Sequence, residues 1–119
     1  MKKKIIVTGG TGYIGSHTTV ELIEAGFEVI IIDDLSNSEE SVVKRIGEIT
    51  GVKPNLEIID VCDKIKIDEF FVKHKDISAI IHFSAFKAVS ESVSKPLEYY
   101  KNNLISLMNL LDAMKKFSI

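Results

Sequence analysis

Apolar residues along the chain fall into two patterns that alternate from one end to the other. Ile5-Ile6-Val7 is a short β-branched run that stops at glycine, the pattern of a strand buried on both faces. From Tyr13 to Ala25 the apolar positions Ile14, Val20, Leu22 and Ile23 are spaced for a helix, and Gly26 suits its C-terminal end. Phe27 to Ile32 forms a second apolar run, ending at Asp33-Asp34. After the polar Ser36-Asn37-Ser38, a helix is expected to run to about Ile49, with Ser38 as a cap candidate and Thr50-Gly51 as its end. Leu56 to Ile59 predicts a third strand. Ile65, Ile67, Phe70, Phe71 and His74 predict a helical stripe, and Ala79 to Phe83 predicts a fourth strand. The last helix opens at Pro96, with Leu97, Tyr100, Leu104, Met108 and Leu111 recurring along one face.

The order is therefore β-α-β-α-β-α-β-α. Continuous apolar strands separated by helices predict a parallel sheet covered on both faces, and right-handed crossovers make it doubly wound, a Rossmann-type α/β fold. No linker or low-complexity tract interrupts it, so residues 1–119 read as one domain.

Composition narrows the function classes. The chain is 45% hydrophobic and 27% charged, with 15 basic against 17 acidic residues, which is ordinary for a globular protein. Lys and Arg are scattered, arguing against a nucleic-acid surface. No run approaches ~18 apolar residues, and the apolar run after Met1-Lys2-Lys3-Lys4 stops at Val7, so neither a membrane span nor a secretion signal is expected. A single cysteine excludes a disulfide framework and fits a reducing, cytoplasmic setting.

Chemistry concentrates at the end of the first strand. Thr8-Gly9-Gly10-Thr11-Gly12-Tyr13-Ile14-Gly15 satisfies G-x-G-x-x-G at the junction of a strand and a helix. Such glycines allow a sharp turn, close approach of backbone to a pyrophosphate and tight helix packing, while the helix N-terminus offers N–H groups to the phosphates. Asp33 ends the second strand 18 residues beyond Gly15, near the ~20 expected of a carboxylate that binds ribose hydroxyls. Its charge predicts NAD over NADP, and no arginine lies nearby until Arg45. Asp60, at the end of the third strand, could reach an adenine amino group or cap the following helix.

Two stretches make the pattern more specific: Val7 to His17, and His82-Phe83-Ser84-Ala85-Phe86-Lys87-Ala88-Val89-Ser90-Glu91-Ser92 followed by Lys95-Pro96-Leu97-Glu98-Tyr99-Tyr100 and Asn102-Asn103. Together they resemble the UDP-glucose 4-epimerases of the extended short-chain dehydrogenase/reductase family, and the resemblance covers essentially the whole chain. It implies NAD contacts at Gly9, Gly12, Tyr13, Ile14 and Gly15 for the pyrophosphate, and at Asp33, Asn37 and Ser38 for the ribose and adjacent phosphate. It implies Asp60 and Val61 at the adenine. Phe83, Ser84, Ala85 and Lys87 would lie beside the pyrophosphate and nicotinamide ribose, with Asn102 on the next helix. Two positions depart from the family pattern: Asp34 stands where Asn is usual, and Ser84 where Ala is usual.

The same resemblance implies a reaction in which the C4 hydride of a UDP-sugar passes to NAD and returns to the opposite face of a 4-keto intermediate. That reaction uses a Tyr-x-x-x-Lys pair. Here the residues four beyond Tyr13, Tyr99 and Tyr100 are His17, Asn103 and Leu104, so this chain holds no such pair. The fifth strand, the catalytic segment and the substrate domain are expected to lie outside these residues, leaving an NAD-binding portion that is inactive alone. Another nucleotide-sugar member of the family (dehydratase, decarboxylase or uronate epimerase) and a non-catalytic NAD-binding module are the alternatives. His17, His74 and His82 read as structural histidines, Cys62 as a packing residue, and no metal site is expected. Without a fifth strand, residues 79–83 would form an exposed apolar edge, which predicts self-association, either edge to edge or by exchange of the last helix.

Overall fold

The computed structural model describes residues 2–36, 38–84 and 93–119. Four strands, β1 (Lys4–Thr8), β2 (Glu28–Asp33), β3 (Asn55–Ile58) and β4 (Ile77–His82), form a parallel sheet in the order β3-β2-β1-β4. Helices α1 (Tyr13–Glu24), α2 (Ser41–Thr50), α3 (Lys64–Lys73) and α4 (Pro96–Phe117) connect or follow them. This is the doubly wound arrangement that the alternation of runs predicts, with strand boundaries displaced by one or two residues.

Uninterrupted apolar strands bury residues on both sheet faces, because successive side chains point opposite ways. Ile6, Ile30 and Ile32 pack with Ile67, Phe70 and Phe71 of α3 and with Leu110 and Ala113 of α4. Ile5, Val7, Val29 and Ile31 pack on the other side with Ile23 of α1 and with Val43 and Ile46 of α2. The β-branched content therefore serves two cores at once. Surface ion pairs Lys64–Asp112 and Lys116–Asp68, each at 3.5 Å and the second with a half-buried Asp68, join α3 to α4 and add little to stability.

Helix ends follow their local chemistry. Gly26 takes φ +97°, and the pair of bonds from Phe27 N to Leu22 O and from Gly26 N to Ile23 O closes α1 in a Schellman turn. Gly51, at φ +79°, ends α2 as expected. Two capping expectations are corrected. Ser38 does not cap α2, whose N-cap is Glu40 without a side-chain bond, because the Ser38 hydroxyl is engaged by Thr11 instead. Asp60 does not cap α3; Asp63 does, accepting from Lys66 N, while Asp60 accepts from Cys62 N in a turn of its own.

Burial revises two helical stripes. Ile65 is exposed, and α3 buries Ile67, Phe70 and Phe71. On α4, Tyr99, Ser106, Asn109, Leu110 and Ala113 are buried, whereas Leu97, Tyr100, Leu104, Met108 and Leu111 are exposed. No helix among the described residues is long and apolar enough to cross a membrane.

Candidate functional site

The carboxyl ends of β1, β2 and β3 meet around the glycine loop, where ligands of open parallel sheets bind. Gly9 turns the chain off β1 at φ +69°, a conformation that side chains resist, and its N–H still bonds Ile32 O of β2 at 2.8 Å. A Cβ on Gly10 would stand 2.7 Å from the Ile31 side chain, and one on Gly15 would collide with the Gly9 carbonyl oxygen. The glycines thus let α1 begin directly against the turn. Gly12 is the N-cap of α1, with no side-chain cap and no acidic residue in the first turn. The positive end of the helix is left to an anion.

Asp33 is buried at the end of β2 and faces this loop. Its Oδ2 accepts from Thr11 N at 3.2 Å and from the Thr11 hydroxyl at 2.6 Å, while Oδ1 accepts from Leu35 N at 2.9 Å. A carboxylate has about four acceptor positions, so room remains for a ligand hydroxyl. The Thr11 hydroxyl also contacts Ser38, which brings the second sequence-predicted ribose residue to the same place. Thr11 itself was not singled out by the sequence. Its part depends on a contact across 22 residues that only the packing of loop on strand reveals.

Asp60 follows β3, joined to β2 where Ile59 N bonds Asp33 O at 3.2 Å. Val61 turns into the core beside Ile67 and Phe71, with its carbonyl bonded by Asn109. Asn102 reaches across from α4 to the Cys62 sulfur at 3.5 Å. Burial pushes the Cys62 thiol above its ordinary pKa, and the negative charges of Asp60 and Asp34 add to the effect. That shift opposes thiolate formation and fits a packing role. Asp34 is exposed and accepts from Ser36 N, a bond an Asn carbonyl could equally make.

Phe83 and Ser84 leave β4 directly over Gly9, within 3.0 Å of a Cβ placed there. Tyr13 and Ile14 extend outward from the first turn of α1. Asn37, Ala85 and Lys87 lie outside the described residues. Of the remaining histidines, His17 packs edge-on against the Tyr13 ring, and His74 bonds Glu57 at 3.0 Å while stacking on Phe70. A cavity of about 310 Å³ bounded by Lys4, Glu28, Asn55 and His74 opens at the amino ends of the strands, away from this crevice.

A family model described as GDP-mannose 4,6 dehydratase matches residues 6–119. The chain belongs to that family. Its curated relatives include UDP-glucose 4-epimerases from Yersinia pestis, 51% identical over 111 residues and 93% of this chain, and from Bacillus subtilis, 46% identical over 115 residues and 97% of it. This chain covers 32% and 34% of those proteins, so it spans about a third of the length of the relatives it matches. Among solved structures, the Stenotrophomonas maltophila UDP-glucose 4-epimerase with bound NAD and formylated UDP-arabinopyranose superposes with a TM-score of 0.93 at 43% identity. The Bifidobacterium longum UDP-glucose 4-epimerase with NAD+ and UDP gives 0.94 at 41%. Each comparison covers 98% of this chain and about a third of the other, 34% and 35%.

Proposed function

We propose that residues 1–119 form a single NAD-binding domain, the cofactor portion of a UDP-glucose 4-epimerase acting on UDP-glucose and UDP-galactose. The observation that carries this reading is the placement of buried Asp33 against the glycine loop, beside an uncapped helix N-terminus. Gly9, Gly12, Tyr13, Ile14 and Gly15 would face the pyrophosphate, and Asp33 with Ser38 the adenosine ribose. Asp60 and Val61 would lie at the adenine, Phe83 and Ser84 beside the pyrophosphate and nicotinamide ribose, and Asn102 would contribute from α4. Asn37, Ala85 and Lys87 join this set from the family resemblance alone.

The acidic rim made by Asp33, Asp34 and Asp60 disfavours a 2′-phosphate, which selects NAD over NADP. Bound NAD supplies a hydride acceptor. The chain's own residues supply its binding and orientation, and with no Tyr-x-x-x-Lys they supply no base for a sugar hydroxyl. We therefore infer NAD binding without turnover for the 119 residues alone, in a cytoplasmic setting, with self-association through the 79–83 edge.

Calorimetric titration of the 119-residue chain with NAD and NADP tests the reading. Saturable NAD binding, with NADP weaker, is expected. No binding at millimolar NAD, or tighter NADP, overturns it. A nucleotide-sugar dehydratase is the second reading, favoured by the description of the matching family model.

A further inference from the structure

His82 sits in a run of hydrogen bonds that joins β1, β4 and α4. Parallel register sets Thr8 of β1 opposite His82 of β4, and the Thr8 oxygen lies 2.6 Å from the His82 Nδ1. The same oxygen accepts from Phe83 N at 3.1 Å and from Ser84 N at 3.2 Å. A hydroxyl has one proton and two lone pairs. With both lone pairs taken by amides, the Thr8 proton goes to Nδ1, so that nitrogen is an acceptor. The ring proton then sits on Nε2, facing the Ser106 hydroxyl at 3.4 Å, which in turn donates to Asn103 O at 3.1 Å. Thr8 is fully buried and Ser106 nearly so, which keeps water from replacing these partners.

The two amides held by Thr8 belong to the backbone that passes over Gly9. Phe83 N also bonds the Thr8 carbonyl at 3.0 Å, so it has a second hold. Ser84 N is held by the Thr8 hydroxyl. We propose that Thr8 and His82 are a positioning pair: the imidazole, fixed as its Nε2–H tautomer between Thr8 and Ser106, turns the Thr8 lone pairs onto the Phe83 and Ser84 amides and so sets the gap between Gly9 and the facing strand end. The consequence for cofactor affinity rests on the NAD reading above. The latch itself does not.

The test uses the ¹⁵N-labelled 119-residue chain without NAD, then with it. Long-range ¹H–¹⁵N spectra near neutral pH should show His82 as the Nε2–H tautomer, and the Ser84 amide should be protected from exchange. Thr8→Val should speed Ser84 exchange about three- to tenfold relative to Ile6 and Ile31, and weaken NAD by a similar factor, whereas Thr8→Ser should restore both. If Thr8→Val does not fold, His82→Asn, which retains an acceptor near the Nδ1 position, should keep Ser84 protected where His82→Phe does not. An Nδ1–H tautomer, or Ser84 exchange that follows the whole domain in every variant, overturns the proposal. The expected tautomer and exchange in a chain that fails to bind NAD would uphold the latch and overturn the cofactor reading.

Discussion

Asp33 holds Thr11 twice, by its backbone N–H at 3.2 Å and by its hydroxyl at 2.6 Å, so the carboxylate that ends β2 also fixes the shape of the loop that ends β1. On the proposed reading, the residue that would bind the ribose also preorganises the loop. Asp33→Asn keeps the volume but loses the charge and at least one acceptor. The expected result is a loss of about 1.5–3 kcal/mol in urea unfolding, together with NAD affinity reduced at least tenfold and weakened discrimination against NADP. Unchanged selectivity in calorimetry would assign Asp33 to the loop alone.

Two glycine substitutions separate steric from conformational effects. Gly15→Ala drives a methyl group into the Gly9 carbonyl, so the turn and α1 must part, at about 1–3 kcal/mol and with loss of NAD binding. Gly26→Ala meets nothing within 4 Å and suffers only from its φ of +97°, costing about 1 kcal/mol and leaving affinity unchanged. Denaturation and titration on the two variants give the comparison.

Cys62 should alkylate slowly. Its pKa is raised, first by burial and then by Asp60, so at any pH below that value it carries less thiolate than a free thiol. The iodoacetamide rate should rise with pH through a midpoint above that of a free cysteine. Asp60→Asn should bring the midpoint down only in part, because burial remains.

The outward side of α4 exposes Tyr100, Leu104, Met108 and Leu111, and β4 pairs with β1 on one side in the described sheet. Sedimentation of dilute chain should reveal species larger than a monomer. Met108→Lys combined with Leu111→Lys should leave that distribution unchanged if pairing runs through the β4 edge, as proposed, and should shift it to monomer if the helix carries the contact.

The strands were legible because a run such as Val29 to Ile32 is apolar at every position, which only burial on two faces explains. Asp33 was legible because a carboxylate closing such a run reaches the crevice wherever the sheet is parallel. Other features needed coordinates. Ser38, Asp60 and Asp63 are all capable caps, and the choice depends on which hydroxyl or amide each side chain can reach. Apolar spacing on α4 fits two faces of one helix, and the buried one includes Ser106 and Asn109, whose polar groups are satisfied by distant partners. The contact between Thr8 and His82 spans 74 residues and exists only in one strand register.

The Schellman turn at Ala25-Gly26-Phe27 gives the chain a fixed ruler. Gly9 is bonded to Ile32, one residue before Asp33, while β2 begins from a reversal of set length. Adding or removing one residue in that reversal would move Asp33 by about 3.3 Å and turn it to the opposite sheet face. Length variation should therefore be purged between α1 and β2. A library of single-residue insertions at that turn, selected for NAD retention, would come back empty.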